Sequence, residues 1–184
     1  MEKKTKKKKV TEVKDTLALP TGATVEVNDG LVVKGNGKVY PIVFAPNVVK
    51  VKVDNNIVEF AVIGKPSRSK VAAMRSTIAH IKNAFIGMST GFSKKLQVVF
   101  AHFPVTIEVK GKDIFIKNFL GEKLARSAKI IGDTKVEVKG QEITITGSDK
   151  YSVGQTANNL MRATKIRKKD RRVFQDGIYP NELK

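Results

Sequence analysis

The sequence predicts an α+β fold made of two tandem repeats, each a small antiparallel β-sheet covered by one helix. Many short segments alternate apolar and polar residues and are separated by Asn, Asp and Gly clusters, a pattern typical of strands joined in hairpins. One segment in each half instead places apolar residues three and four positions apart, which indicates an amphipathic helix. The halves also align at an offset of about 85 residues, at which 51–53 falls on 136–138 and 72–81 falls on 157–166.

The first half is expected to begin with strands. They are placed where the alternation is clearest, at residues 23–27, 31–34, 38–44, 48–53 and 57–63. The last two form a hairpin with its turn at 54–56. The stretch Gly35-Asn36-Gly37 is interpreted as an earlier hairpin turn rather than a phosphate-binding loop, because it lacks the spacing of a P-loop.

A helix follows these strands. Its apolar residues recur at helical spacing and are Val71, Met74, Ile78, Ile81 and Phe85. Ser67 is the predicted N-cap of this helix, and Gly87 is its predicted C′ residue.

The second half repeats this order of elements. Strands are expected at 97–103, 106–109, 114–116 and about 123–131, followed by a hairpin of 136–138 with 143–146. A second helix is expected to begin at Ser152, since Ser152 and Gln155 match a capping box. Its buried face comprises Val153, Ala157, Leu160 and Thr164.

The glycines of the second half suggest two different roles. Gly132, Gly140 and Gly147 are interpreted as turn residues. Gly154 lies in the second helix, where glycine lowers stability. Two interpretations of it stand equally: close packing of the helix on the sheet, or the approach of a phosphate to the backbone at the helix start.

This order of elements predicts the domain organisation. A basic tail at 1–13 is expected to precede a first α+β repeat at 14–88 and a second α+β repeat at 89–184, which carries a basic C-terminal segment. Residues 88–104 join the repeats. Because this joining segment is itself apolar and strand-like, the two halves are expected to pack rigidly.

The composition indicates a polyanionic partner. The formal net charge is +18 and the pI is about 10.1. A polyanion offsets the self-repulsion of such a chain, and nucleic acid is the leading candidate, ahead of an anionic membrane surface. No apolar run reaches the ~18 to 20 residues that span a bilayer, and the chain starts with lysines rather than a signal region, so a cytoplasmic protein without a membrane partner is expected.

The residues do not predict an enzyme. The chain has no cysteine and two histidines. His80 is interpreted as a structural residue of the first helix, and His102, in the corner A-H-F-P, as a contact to backbone or to a partner. The carboxylates that alternate with lysines in strands are expected to form exposed cross-strand pairs: Glu26, Glu59, Glu108 and Glu137. We therefore predict no catalytic residue, metal site, cofactor or small-molecule substrate.

Two segments concentrate the positive charge. Residues 3–9 are either a solvated tail or an arm that follows phosphates. The stretch from Arg162 to Arg172 holds seven cations and one carboxylate, and apolar residues interrupt and follow it. These apolar residues predict that the strand-like stretch 173–179 folds back on the domain and holds the cations in fixed positions, which suits contacts to phosphates and base edges. RNA recognized by its shape and backbone is the expected ligand.

Specific motifs resemble one known family. V-G-Q-T-A-x-N-x-x-x-A-T-K-I at 153–166 and D-R-R-V-F-Q-D-G-I-Y at 170–179 resemble the sixth protein of the large ribosomal subunit, in its archaeal and eukaryotic form. N-F-L-G-E-K-x-A-R at 118–126 and A-H-F-P at 101–104 are similar to the same family. The likeness covers about residues 14–180 and points to an archaeon. The Lys-rich run at 3–9 is longer than is usual in this family.

The resemblance implies a function and a set of contacts. A member of this family would have two tandem domains of one fold and would bind large-subunit ribosomal RNA near the elongation-factor site, beside the sarcin–ricin loop and the stalk base. Neighbouring ribosomal proteins, among them those of the stalk base, would be further partners. The implied RNA-binding residues are Lys150, Ser152, Gln155, Arg162, Lys165, Arg167, Lys168, Lys169, Arg171, Arg172, Phe174, Gln175, His102, Lys110 and Lys112.

Two rival functions come from other classes. A free-standing RNA-binding module outside the ribosome would share the basic segments. An enzyme acting on RNA would require a cluster of carboxylates or histidines beside the basic face, and the sequence offers none.

Overall fold

The structure, a computed structural model, describes residues 13–20, 24–27, 30–35, 38–54, 57–167, 169–170 and 172–181. It confirms the α+β class: several small antiparallel sheets accompany two long helices. Residues 1–12 of the basic tail, the turn residues 36–37 and 55–56, and the site residues Lys168 and Arg171 lie outside the described residues. The chain divides into two compact units after Met88.

The first unit contains two three-stranded sheets in its described part. Strands β1 (Lys14–Ala18), β5 (Val49–Asp54) and β6 (Ile57–Val62) form one sheet in the order β1-β6-β5. Strands β2 (Thr24–Val27), β3 (Leu31–Gly35) and β4 (Lys38–Ile42) form the other as a simple meander. All pairs are antiparallel, so the predicted hairpins are confirmed as strand pairs.

Strand β1 was not predicted from the sequence. Its sequence is K-D-T-L-A, and its two half-buried positions are Asp15 and Leu17. A charged residue therefore occupies one of the two inward positions, which hides the alternation that reveals the other strands. The strand is held by antiparallel pairing with β6, in which Leu17 lies opposite Val58.

Helix α1 (Arg68–Ser89) contributes Met74, Ile81 and Ala84 to the core of this unit. The backbone N–H of Lys70 donates to Ser67 Oγ at 3.3 Å, which confirms Ser67 as the N-cap. The predicted C′ residue was wrong, because Gly87 is buried inside the helix and the left-handed φ of 72° belongs to Gly91, two residues past the helix end. The core of the unit combines helix and sheet residues: Leu31, Val33, Val58, Phe60, Met74 and Ile81.

The second unit contains a three-stranded and a four-stranded sheet. Strands β8 (Thr106–Lys110), β9 (Asp113–Lys117) and β10 (Arg126–Lys129) form a meander, with a short 3-10 turn at Phe119–Gly121 before β10. Strands β7 (Phe92–Val99), β11 (Lys135–Lys139), β12 (Glu142–Gly147) and β13 (Gly177–Pro180) form the larger sheet in the order β11-β12-β7-β13.

Strand β7 corrects the expected strand at 97–103. It begins five residues earlier and ends at Val99, because the polar residues Ser93, Lys94 and Lys95 pair with β12 despite lacking an apolar pattern. The strand lies inside the four-stranded sheet, between β12 and β13. The segment expected to join the halves therefore belongs to the core sheet of the second unit.

Helix α2 (Lys150–Ala163) packs on the second unit, and its start corrects the predicted cap. The carboxylate of Asp149 accepts the backbone N–H groups of Tyr151 at 3.1 Å and Ser152 at 3.0 Å, so Asp149 is the N-cap. Gln155 does not close a capping box; it donates to Asn159 Oδ1. The predicted apolar face is confirmed as buried: Val153, Ala157, Leu160 and Thr164.

The glycines of the second unit have distinct structural roles. Gly132 and Gly140 have φ values of 62° and 59°, as their predicted turns require. Gly147 is instead the last residue of β12, and a Cβ there would lie 2.8 Å from Val153 Cγ2. A Cβ at Gly154 would meet nothing within 4 Å. Close helix–sheet packing therefore explains Gly147, and the packing interpretation of Gly154 is wrong.

Candidate nucleic-acid interface

The interface is built on the chain that follows α2, which we call the C-terminal segment (residues 164–181). Thr164 connects its two ends. The Thr164 Oγ1 atom accepts the backbone N–H of Ile178 at 3.1 Å and lies 3.3 Å from the carbonyl oxygens of Leu160 and Met161. The end of α2 is therefore joined to β13 through one hydroxyl group, which makes the segment a closed loop.

Arg126 holds the start of this loop. Its Nη1 donates to the carbonyl oxygens of Ala163 at 2.8 Å and Lys165 at 3.4 Å, which are acceptors left open where α2 ends. Its Nε and Nη2 form a two-pronged ion pair with both carboxylate oxygens of Glu122, at 2.8 and 2.6 Å. The guanidinium also lies 4.5 Å from the Phe119 ring centroid.

This arrangement affects the ionisation of Glu122. The hydrogen bond from Arg126 holds the pKa of the Glu122 carboxyl below its ordinary value, with a smaller electrostatic contribution from Lys169. Arg126 was not among the predicted site residues, although it ends the motif N-F-L-G-E-K-x-A-R. No local sequence pattern indicates that the Arg126 side chain contacts the end of α2.

Asp176 holds the far end of the loop. The residue is 1% exposed, and its Oδ1 accepts the backbone N–H of Ala101 at 3.0 Å. The Nδ1 atom of His102 lies 3.4 Å from the same oxygen. The corner A-H-F-P is thereby attached to the segment. Asp176 was also missed, because its partner at position 101 is distant in the chain and no local pattern indicates the contact.

An aromatic cluster lies beside this anchor. The rings of His102 and Phe174 stack with their centroids 5.3 Å apart, and Lys169 Nζ lies 4.6 Å from the Phe174 centroid. Phe174 is half-buried against the core of the second unit. The structure therefore brings three predicted site residues together.

Burial shows which apolar residues hold the segment. Ile166 and Ile178 are buried in the core, and β13 pairs antiparallel with β7, so the segment folds back as predicted. Val173 was expected to help hold it, but its side chain is 63% exposed, because Arg172 and Val173 lie in a turn. Tyr179 is partly exposed, and its hydroxyl donates to the carbonyl oxygen of Gln175.

The described cations of the segment project into solvent from this fixed backbone. The exposed residues of the segment are Lys165, Arg167, Lys169 and Arg172, together with Gln175, and Arg162 is exposed in the last turn of α2 just before it. The carboxylate of Asp170 accepts the backbone N–H of Arg172 at 2.9 Å and thus helps to shape the turn. Cations carried on a backbone that is already held favour contacts to a polyanion, since less backbone freedom is lost on binding.

A second group of predicted residues lies at the other end of α2. Lys150 is exposed and 6.0 Å from the Phe92 ring centroid, and Ser152 Oγ donates to the Asp149 carboxylate at 2.6 Å. Gln155 is half-buried one turn further on. A helix of fourteen residues is about 20 Å long. The structure therefore separates Lys150 and Ser152 from Arg162 by most of the helix, and Gln155 from Arg162 by about half of it.

Lys110 and Lys112 lie at the β8–β9 hairpin. Lys110 Nζ is 3.5 Å from Glu108 Oε2, and the carbonyl oxygen of Lys112 accepts the backbone N–H of Ile130 at 2.8 Å. Glu108 also binds Lys117 Nζ at 2.6 Å, and this hydrogen bond is the main cause of the lowered pKa of the Glu108 carboxyl. The predicted cross-strand pairing is confirmed for Glu108 and for Glu26, which pairs with Lys34.

His80, the other histidine of the chain, is exposed on α1, so it is not a core residue. Among the residues that the structure describes, no group of three or more His, Cys, Asp or Glu side chains is placed to hold a metal ion. In the same residues no helix is long and apolar enough to span a membrane.

Comparisons with known proteins identify similar chains. A family model described as ribosomal protein L6 matches residues 103–177. The chain is 44% identical to large ribosomal subunit protein uL6 of Methanosarcina mazei, over 92% of this chain and 97% of that protein. It is 44% identical to the uL6 of Methanobrevibacter smithii, over 91% and 94%, and 42% identical to that of Staphylothermus marinus, over 93% and 95%.

Proposed function

The chain belongs to the ribosomal protein L6 family, and from that premise we propose that its C-terminal segment holds large-subunit ribosomal RNA by charge and shape. The relatives are named as proteins of the large ribosomal subunit, and this chain is likewise a structural, non-enzymatic component of that subunit. The finer part of the proposal is the place of binding: near the elongation-factor site, at the sarcin–ricin loop and stalk base, with stalk-base proteins as neighbours.

One observation carries the proposal for the RNA contact. The C-terminal segment is held at both ends by contacts to the rest of the unit, while its described cations remain exposed. A flexible basic tail loses conformational freedom when it binds, whereas the two ends of this segment are already held in the folded protein. Arginines presented in this way bind two phosphate oxygens at once and thereby fix the register of the protein on RNA.

The start of α2 supplies a second contact in this proposal. Lys150 offers positive charge, and the open space beside Gly154 leaves room for a phosphate along the first turns of the helix. Because the two groups lie most of a helix apart, they would contact phosphates of different nucleotides. Lys110, Lys112 and His102 extend the proposed surface along the β8–β9 side of the same unit.

We also propose that the two units are tandem copies of one design. In each unit a strand is followed by a three-stranded meander, a hairpin and a long helix, and the first strand pairs with the second strand of the hairpin. The second unit adds β13 on the free edge of β7. This strand belongs to the C-terminal segment, and the described residues of the first unit contain no counterpart of it.

The proposal is tested by incorporation into the large subunit. The variant Arg167→Glu with Arg172→Glu should lose co-sedimentation with the large subunit at moderate salt, since two exposed cations of the segment become anions. The control is Lys135→Glu with Lys139→Glu on β11, which changes the net charge equally. Both proteins should retain wild-type circular dichroism.

Two results would contradict the proposal. If the arginine variant incorporates like wild type, the C-terminal segment is not the RNA contact. If the wild-type protein stays off the large subunit in a cell extract at moderate salt, the rival function of a free-standing RNA-binding module is favoured.

A further inference from the structure

Helix α1 of the first unit lies in a part of the chain that contains no acidic residue. No Asp or Glu occurs between Glu59 and Glu108, whereas lysines and arginines recur there. A solvated protein surface normally mixes charges of both signs, so a helix that carries cations alone indicates an anionic partner. The cations of α1 itself are Arg68, Lys70, Arg75 and Lys82.

Three of these cations form a row on the exposed face of α1. Arg68, Arg75 and Lys82 are exposed and follow one another at intervals of seven residues, which is about two turns of a helix. The row is therefore about 20 Å long, since a helix rises about 1.5 Å per residue. Ala72 and Ala79, which are exposed beside the row, are too small to shield its charges. The opposite face of the helix is buried in the core of the unit.

Ion pairs within the described part of the chain do not neutralise this row. The ion pairs there involve other cations, among them Lys34, Lys117 and Arg126. Lys70, the fourth cation of α1, donates to the backbone carbonyl oxygen of Ile63 at 2.9 Å and thus has a structural role. The charges of the row therefore remain available to a partner.

The cations are also placed against the preference of the helix dipole. The first turn of a helix favours carboxylates, and the last turn favours cations. The first turn of α1 holds Arg68 and Lys70 and no acidic residue, and its last turn holds no basic residue. The charges therefore do not stabilise the helix, which favours a role in binding an external polyanion.

We propose that the exposed face of α1 is a second contact to large-subunit ribosomal RNA, in which Arg68, Arg75 and Lys82 bind phosphates along one strand. The inference rests on the proposed function, because it takes that RNA to be the polyanion. Phosphate contacts of this kind position a protein on RNA without reading its bases. This contact belongs to the first unit, so it is separate from the C-terminal segment of the second unit.

An anionic membrane and an acidic protein suit this face less well. A helix that lies on a membrane inserts its apolar face into the lipid, whereas the apolar residues Met74 and Ile81 of α1 are buried in the protein core. An RNA strand carries a phosphate at every nucleotide. It therefore matches a regularly spaced row of cations more readily than the carboxylates of a folded protein do.

The experiment titrates the full-length protein against deproteinised large-subunit ribosomal RNA at several salt concentrations. The variant Arg75→Gln with Lys82→Gln removes two charges of the row and keeps good helix-forming residues. Its affinity should fall roughly tenfold at about 100 mM salt, because two phosphate contacts are lost. The slope of log affinity against log salt should become shallower by about 1.5, since each lost contact removes roughly 0.7–0.9.

The matched control changes the net charge equally at another place in the first unit. Lys50→Gln with Lys52→Gln removes two exposed cations of β5 and should bind RNA with the wild-type affinity and salt slope. Circular dichroism and urea unfolding establish that each variant is folded.

A further variant adds a carboxylate beside the row instead of removing a cation. Ala79→Glu places an acid four residues after Arg75, a spacing that supports a helix, so the midpoint of urea unfolding should stay close to that of wild type. The affinity for RNA should nevertheless fall, because the new carboxylate repels phosphates and pairs with Arg75. Weaker binding at unchanged stability distinguishes a contact surface from a structural role.

The outcomes separate this inference from the function beneath it. If either α1 variant is folded and binds RNA as wild type does, the α1 contact is overturned, and the proposed function still stands on Arg167→Glu with Arg172→Glu. An equal loss in the β5 control overturns the α1 contact as well, because net charge alone then explains the effect. Unchanged RNA affinity with lost co-sedimentation identifies a protein as the partner of α1 and overturns the RNA contact. Failure of the wild type to bind large-subunit RNA at moderate salt overturns both proposals.

Discussion

At the scale of single residues, Arg126 shows why an arginine, rather than a lysine, supports the start of the C-terminal segment. One planar group binds a carboxylate through two atoms and the carbonyl oxygens of Ala163 and Lys165 through a third. Lysine is a point donor on a flexible stem and cannot reproduce both sets of bonds. The residue therefore acts on the proposed RNA contact by positioning the backbone from which the cations project.

We expect Arg126→Lys to lower the free energy of unfolding by about 1–2 kcal/mol, because charged hydrogen bonds to Glu122 and to the end of α2 are lost. Urea unfolding measures the change. The matched control is Arg75→Lys on the exposed face of α1, which should stay within about 0.5 kcal/mol of wild type. Equal effects of the two substitutions would show that the Arg126 contacts add no stability.

The same ion pair predicts a dependence of stability on pH. The pKa of Glu122 is lowered in the folded protein, so its contribution to stability is present above the ordinary value of 4.5 and is lost as the pH falls through the lower folded value. Glu122→Gln should therefore flatten the decline in unfolding free energy below pH 4.5. Because Glu122 is largely exposed, the difference should shrink as salt is added. An unchanged acid profile would contradict the assignment.

At the scale of elements, α2 organises the second unit and separates the two groups of proposed RNA contacts. Its buried face contacts both sheets of the unit, its start is capped by Asp149, and its end is held by Arg126. Gly147 allows the first turns to lie close to β12, while Gly154 is surrounded by open space. Close packing therefore excludes a larger side chain at Gly147, whereas no neighbouring atom excludes one at Gly154.

Substituting these two glycines by alanine should change stability in opposite directions. Gly147→Ala should destabilise the protein by about 1–3 kcal/mol, because the new Cβ would lie 2.8 Å from Val153 Cγ2. Gly154→Ala should stabilise it by about 0.5–1 kcal/mol, since alanine favours the helix and meets no neighbour.

Binding measurements on Gly154→Ala then test the proposed phosphate contact at the start of α2. If a phosphate approaches the backbone there, affinity for large-subunit RNA should fall although the protein is more stable. A variant that is more stable and binds RNA as wild type does would remove the helix start from the contact surface.

The elements also show what sequence patterns can and cannot predict. The buried face of α2 followed from its spacing, because only a helix places Val153, Ala157 and Leu160 together. The start of α2 did not, since Asp149 and Ser152 are both good caps and the helix begins at the earlier of the two. Strands β1 and β7 were missed or displaced, because their polar residues pair with neighbours in a way that period-2 alternation does not reveal.

The candidate site was predictable to a similar extent. The cations and Phe174 of the C-terminal segment could be found from local crowding of charge beside apolar residues. Arg126 and Asp176 could not, because their partners lie 37 and 75 residues away in the chain and local patterns carry no information on such contacts.

At the scale of the whole molecule, the net charge of +18 makes electrostatic attraction to phosphates the main source of affinity in the proposed RNA binding. Cations that neutralise phosphates release condensed counterions, so the affinity falls as salt rises. Shape and the fixed positions of the arginines then decide where on the RNA the protein binds, since phosphate contacts alone carry no sequence information.

Binding through phosphate contacts predicts that the affinity for RNA depends steeply on the salt concentration. If about six phosphates are contacted, affinity for large-subunit RNA should fall by roughly 10³ between about 50 and 200 mM salt. Deleting residues 1–9 should reduce the slope modestly if that run follows phosphates. A slope unchanged from wild type would show that the run is a solvated tail.

The central claim is that the C-terminal segment grips the RNA, and crosslinking within the assembled large subunit tests it most directly. We predict crosslinks to ribosomal RNA from Arg162, Lys165 and Phe174, with further crosslinks from the start of α2. Crosslinks confined to the first unit, with residues 162–175 unlabelled, would contradict the account.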